Sequence, residues 1–329
     1  MGRQEALDRF EGLDGDLWES LEPWFPVRVT RSWAERVRRV NGPLGLQAFP
    51  QPAELESFDG DRPDPVGEQA RSPVPWIVQK HPDRVLVLVT RRCHVHCRYC
   101  FRRDQRGPEE PTAGEFQAIV EFVRHSGARE VILSGGDPLA LSDRKLLEWV
   151  DALRRWVPVV RIHTRAPITQ PSRVTPELVS ALAQRNPTWI FVHANHPAEL
   201  GQPVREAIAR LVDAGLPVLN QAVLLRGVND QVETLVDLCT ALVQCRVKPY
   251  YLHQTDPVPG NAALRVEPSR GLALHRALAQ RVSGLALPRY VVDLEDGSGK
   301  VDVADWYAAR TGGVPSRTGY EVRSMTDKE

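Results

Sequence analysis

From residue 84 onward, short apolar runs rich in β-branched residues alternate with segments whose apolar positions recur every three or four residues. The runs lie at 84–90, 129–135, 159–164, 188–193, 216–225 and 247–253, and each has the length and composition of a strand. Between the first two, Thr112 and Glu115 stand at capping-box spacing ahead of Phe116, Ile119, Val120 and Val123, which predicts an amphipathic helix. Helical spacing returns after each later run, at 143–156, 176–183, 204–214, 230–244 and 269–282. Residues 1–75 differ: they are rich in Trp, Arg and Pro, with helices expected near 13–21 and 32–40 and an extended Pro- and Asp-rich passage over 49–75.

Strand and helix alternating six times predict a parallel sheet, because right-handed crossovers lay successive strands side by side. Six units are too few for the closed eight-stranded form, so the expected fold is α/β, a partial (β/α)6 TIM-like barrel open on one side. Around it, the expected organisation is an N-terminal helical cap and linker (1–75), the barrel (76–288) and a short C-terminal segment (289–329). Chemistry in such a barrel gathers where strands end and loops begin. The sequence places RRCHVHCRYC after the first run, SGGDP at the second, HTRAP at the third, HANHP at the fourth, LRGVND at the fifth and HQTD at the sixth.

Composition narrows the function. The chain has 329 residues, and Lys plus Arg equals Asp plus Glu at 42 each, so no basic surplus calls for nucleic acid or a membrane surface. No stretch approaches the length of a membrane span, and the first residues lack the apolar core of a secretory signal, which makes the cytoplasm the expected location. Five cysteines in so long a chain are not a disulfide framework, and three of them crowd between positions 93 and 100.

Those three, Cys93, Cys97 and Cys100, form C-x3-C-x2-C in the loop after the first strand. A structural zinc site takes four ligands, usually as two C-x2-C pairs, and no second pair exists here; a partial zinc knuckle is the alternative reading. Three thiolates on a cubane cluster leave one iron open to a small molecule. The glycines of SGGDP at 134–138 suit close approach of backbone to a ligand, and equally a plain turn. Near the C-terminus an apolar strand at 290–292 runs toward a Gly-punctuated loop bearing Lys300, a residue type that forms Schiff bases with pyridoxal phosphate.

The cysteine spacing in the first loop of such a barrel resembles the radical S-adenosylmethionine superfamily. Combined with VVD-x-x-x-G-x-G-K at the C-terminal end, and with PDRVLVLVTRRC, CRYCFRR, ILSGGDPL, RIHTRAP, HANHP, NQAVLLRGVND and VKPYYLHQTD in order, the chain resembles the lysine 2,3-aminomutase family over most of its length. The resemblance implies a [4Fe-4S] cluster on Cys93, Cys97 and Cys100, with Tyr99 in the aromatic position beside the last of them. It implies that this cluster cleaves S-adenosylmethionine reductively, and that Ser134, Gly135, Gly136 and Asp137 bind that cofactor. Lys300 would carry pyridoxal 5'-phosphate, Arg102 would hold the substrate carboxylate, and Asp256 and Asp293 would hold the distant ε-ammonium of lysine. His193 and Gln221 match positions near the adenosyl group, and Lys80 and Arg84 match basic positions near the pyridoxal phosphate anion, although Lys80 stands where the family pattern has arginine. The implied reaction converts L-α-lysine to β-lysine by moving its amino group from Cα to Cβ.

Two features depart from the pattern or divide it. Some family members bind zinc through cysteines in a C-terminal extension, and no cysteine follows Lys300, so no zinc is expected. Phe101 and His253 look like the branch that supplies (R)-β-lysine for modification of elongation factor P, whereas Asp293 and GSGK look like enzymes of free lysine metabolism. An aminomutase for arginine or glutamate is the rival enzyme reading, and an iron-sulfur or zinc protein that binds a partner is the non-enzymatic one. The expected partners are a small amino acid, an electron donor for the cluster and, by resemblance, further copies of the chain.

Overall fold

The computed structural model describes residues 1–56, 58–103, 107–297 and 299–312. Nine strands among them form one sheet in sequence order: β1 (Ile77–His81), β2 (Arg84–Thr90), β3 (Glu130–Gly135), β4 (Val159–His163), β5 (Thr188–Val192), β6 (Val218–Val223), β7 (Lys248–His253), β8 (Arg289–Leu294) and β9 (Gly299–Asp302). β2 through β8 are parallel, while β1 and β9 pair antiparallel at the two ends. The architecture is the expected partial barrel, wider than the six strands anticipated. The apolar run near 290 follows the helix Pro268–Ala279 and joins β7 in parallel as a seventh strand.

The period of two along each strand decides what faces where. On β4, Val160 and Ile162 are buried in the apolar core, whereas Arg161 and His163 face the interior cavity. On β6, Val218 and Ala222 pack in the core and Gln221 and Val223 face the cavity. Surrounding helices press Ile119, Leu146, Leu178, Ile208 and Leu242 onto that core, each at a position the helical spacing predicts. The capping box at the first of them is formed: Thr112 Oγ1 accepts from Glu115 N–H, and Glu115 Oε2 accepts from Thr112 N–H at 2.7 Å.

The N-terminal region departs most from expectation. A helix at Arg3–Arg9 carries too little apolar patterning to be expected, and the helix anticipated over 32–40 is a single turn, Arg31–Ala34. The chain leaves it through bonds from Arg36 N–H to Trp33 O and from Val37 N–H to Ala34 O, a tightening typical of helix ends. The Arg36 guanidinium then donates across to the carbonyls of Glu199 and Ile168. Trp33 and Phe49 are fully buried and merge with the barrel core. The passage 49–75 contains two short 3-10 turns, Pro52–Leu55 and Gln69–Arg71.

β1 and β9 are the two edges of the sheet and do not pair. Side chains cross that seam instead. Lys80 on β1 reaches Asp293 on β8 at 2.8 Å, and a Cβ on Gly299 would lie 2.3 Å from His81 Nε2, so glycine at 299 lets the edges approach. No helix among the described residues is long and apolar enough to cross a membrane.

Candidate active site

A cavity of about 920 Å³ runs through the barrel. All sixteen residues singled out in the sequence line it: Lys80, Arg84, Cys93, Cys97, Tyr99, Cys100, Arg102, Ser134, Gly135, Gly136, Asp137, His193, Gln221, Asp256, Asp293 and Lys300.

The N-terminal region holds the loop bearing the three thiols from behind. Arg98, fully buried, forks onto Glu54 with Nε at 3.0 Å and Nη2 at 2.5 Å, and Arg103 joins the same carboxylate at 2.8 Å. Backbone bonds from Arg98 N–H to Gln47 O and from His96 N–H to Arg28 O complete the attachment. In front, the loop meets the end of β3. Gly136 N–H donates to Thr90 O and Asp137 N–H to Arg92 O, both at 2.7 Å. The glycines serve this contact: a Cβ on Gly135 (φ +112°) would sit 2.3 Å from Thr90 O, and one on Gly136 would sit 2.3 Å from Arg92 O. The sequence offered close approach to a ligand or a plain turn as the reason for these glycines; in the structure they also let chain pack on chain. Asp137 is likewise engaged within the protein, accepting from Thr164 Oγ1 at 2.5 Å and from the N–H groups of Leu139 and Arg165, each at 2.9 Å.

Burial pushes the Cys93 thiol well up and the Cys100 thiol to about 11. Arg165, from HTRAP, donates to Cys97 Sγ at 2.8 Å. Its other nitrogen bonds Gln47 at 2.6 Å and the fully buried Glu199 at 3.0 Å, so a compensated cation lies against the thiol. Burial opposes that cation, but the neighbouring anionic groups hold its pKa above the ordinary arginine value. Asn195 links this network to Tyr99 Oη at 2.8 Å, and Tyr99 stacks on His193 with Oη 2.9 Å from Nε2. No group of three His, Cys, Asp or Glu side chains among the described residues is gathered tightly enough for one metal ion. Three sulfurs on one wall beside a guanidinium fit a larger thiolate-held body.

At the other end Lys300 lies on a strand, contrary to the loop expected. β8 and β9 form a hairpin in which Asp293 and Lys300 are cross-strand partners, which explains their separation of seven residues. Lys300 Nζ donates to Asp293 Oδ2 at 2.7 Å while Lys80 Nζ takes Oδ1 at 2.8 Å. Burial raises the Asp293 carboxyl, and the two ammonium groups outweigh it and hold the pKa at about 2. Among the described residues no cation lies so close to Asp256; burial and the Asp293 charge push it to about 7. Burial lowers His253 to about 3 and keeps His163 and His193 neutral.

Arg102 forks onto Glu68 at 2.8 and 2.5 Å and donates to Gly135 O at 3.1 Å. Arg84 lies at the rim against its neighbour Asp83. Gln221 lines the wall from β6. Arg161 and His163, which the sequence reading passed over, line the cavity; Arg161 Nη2 pairs with Glu130 at 2.5 Å, and Arg161 Nε and His163 Nε2 are buried without a hydrogen-bond partner among the described residues. Their signal was available: two polar residues at alternate positions inside an apolar strand. Glu68, Arg165 and Glu199 carried no such signal, since a single charged residue in a loop reads as solvated.

Residues 87–239 match the Radical SAM superfamily. The chain is 39% identical over 276 residues to the L-lysine 2,3-aminomutase of Acetoanaerobium sticklandii, covering 82% of this chain and 67% of that protein. It is 46% identical over 314 residues to a protein of Treponema pallidum that carries the same name provisionally, covering 91% and 88%. To the glutamate 2,3-aminomutase of Clostridioides difficile it is 34% identical over 276 residues, covering 82% and 65%. Among solved structures, Streptococcus suis SuiB bound to S-adenosylmethionine aligns over 76% of this chain and 64% of its own with a TM-score of 0.51 at 13% identity, a likeness of fold.

Proposed function

The chain belongs to the lysine 2,3-aminomutase family of radical S-adenosylmethionine proteins, and from that premise we propose that it converts L-lysine to β-lysine by migration of the amino group from Cα to Cβ. The observation that carries the reading is the single cavity, with three thiols at one end and Lys300, Asp293 and Asp256 at the other. A [4Fe-4S] cluster with S-adenosylmethionine supplies a carbon radical that abstracts hydrogen, and pyridoxal phosphate supplies a π system that accommodates the moving nitrogen.

In this reading Cys93, Cys97 and Cys100 hold the cluster, and Arg165 steadies the Cys97 sulfur. Ser134 and the backbone of Gly135 and Gly136 form the wall for S-adenosylmethionine, while Asp137 holds that wall to β4. Tyr99, His193 and Gln221 flank the adenosyl side. Lys80 and Arg84 would face the anion of pyridoxal phosphate, for which Lys300 would provide the amine. Arg102 receives the substrate carboxylate, and Asp256 and Asp293 receive its distal ammonium. Two carboxylates at that end favour lysine over glutamate, whose own carboxylate they would repel. An electron donor for the cluster is the implied partner.

The test offers L-lysine, L-arginine and L-glutamate together to anaerobically reconstituted protein with S-adenosylmethionine, pyridoxal phosphate and dithionite, and separates α from β isomers by mass spectrometry. β-Lysine as the main product is expected. β-Arginine or β-glutamate in its place would replace the substrate and keep the chemistry, and no β-amino acid from protein with an intact cluster would remove the proposal.

A further inference from the structure

Arg102 is half of a buried pair whose other half comes from outside the barrel. Glu68 lies in the passage joining the N-terminal region to β1, and its side chain is 9% exposed against 13% for Arg102. The carboxylate takes Nε and Nη2 of the guanidinium at 2.8 and 2.5 Å. Gly135 O takes Nη1 at 3.1 Å, and the Phe101 ring lies 4.6 Å beneath the guanidinium carbon. Glu68 takes the Nε N–H and one Nη2 N–H, while Nη1 donates to Gly135 O and, at the long distance of 3.5 Å, to Ser134 Oγ. The second Nη2 N–H has no partner among the described residues, and with the Nη1 N–H that makes only the long Ser134 contact it forms the end-on pair that accepts a second carboxylate.

Glu68 is itself held in place. Asp64 accepts from Glu68 N–H at 2.9 Å and from Gln69 N–H at 2.8 Å. At Gly67 (φ +65°) a Cβ would lie 2.1 Å from Glu295 O, so the passage crosses directly over the turn between β8 and β9. Arg71 Nη2 clasps Asp296 O on the same turn at 2.7 Å. The segment that orients Arg102 is therefore fastened to the hairpin carrying Asp293 and Lys300.

We propose that Glu68 is a positioning residue: it occupies the side-on face of Arg102 and presents the end-on face to the carboxylate of an α-amino acid substrate. The inference rests on the proposed role of Arg102. An arginine left to itself samples many rotamers, and fixing it before the substrate arrives removes that ordering cost from binding. An internal carboxylate that merely plugged the site would have the opposite effect, because its removal would free Arg102 for the substrate.

Steady-state kinetics of Glu68→Ala, Glu68→Gln and Glu68→Asp, with Arg102→Lys alone and combined with Glu68→Ala, test this on whichever amino acid the wild-type protein turns over best. Glu68→Ala is expected to raise KM on the order of tenfold, the scale of a charged hydrogen bond, with kcat changed by less than about threefold. Glu68→Gln keeps the shape and falls between, and Glu68→Asp recovers part of the loss. The double variant is expected to be no worse than Arg102→Lys, since both changes act on one contact. An unchanged or lowered KM in Glu68→Ala, or additive losses in the double variant, would overturn the proposal while leaving the reaction intact. A wild-type protein that turns over no amino acid would overturn the reaction and this role together.

Discussion

Asp256 gives the cavity a pH dependence of definite sign. Its empty-site pKa of about 7 reflects burial first and the Asp293 charge second, with Lys300 and Lys80 pulling the other way and Glu68 adding to the rise. Its ionised form is the one that attracts an ammonium group, so kcat/KM for lysine is expected to fall about tenfold per pH unit below 7 and to level above it. Asp256→Asn should flatten that limb in a pH–rate profile. Stability follows the same group. Folded Asp256 keeps its proton to about 7 whereas an unfolded aspartate loses it near 3.8, so the folded state binds more protons between those values and this contribution to stability declines as pH rises through them. Asp293, held at about 2, acts in reverse: its contribution is present above 3.8 and is lost as pH falls toward 2. Glu199 offers a simpler test. It is fully buried against Arg165, and Glu199→Ala should cost about 3–5 kcal/mol in chemical denaturation because it strands a buried cation.

Elements place these side chains by contacts between loops and strand ends. The turn after β3 and the loop bearing the thiols touch backbone to backbone, so Gly135→Ala should destabilise the protein by at least about 1–3 kcal/mol, through strain at φ +112° and the clash with Thr90 O. The same change should reduce the iron retained after reconstitution, read by metal analysis. Glu54→Ala should also lower iron content, since it unpairs Arg98 and Arg103 behind the thiol loop. Strands and helices were legible because their periods of two and near four survive in the sequence. The capping box at Thr112 and the helix at Pro176–Ala183 lie where the residues put them. β9 was not legible. Four residues that begin at Gly299 are too few to show a period, and what makes them a strand is pairing with β8. For the same reason Lys300 looked like a loop residue.

At the scale of the whole molecule, three thiols and the Lys300–Asp293–Asp256 group line one cavity. Motifs together with the family resemblance were enough to nominate sixteen residues, and the cavity gathers all of them. The groups that fix those residues, Glu54, Glu68 and Glu199, come from distant stretches and become visible only once the chain is folded. The seam between β1 and β9, crossed by Lys80 and Asp293, is another property of closure that no local pattern encodes. The central claim is that the thiol end and the Lys300 end serve one substrate. It is tested most directly by supplying L-lysine deuterated at Cβ to the reconstituted protein and following the isotope by mass spectrometry. The account predicts deuterium in both 5'-deoxyadenosine and β-lysine, with the labelled products lost in Cys97→Ala and Lys300→Ala; unlabelled 5'-deoxyadenosine accompanied by unchanged lysine would contradict it.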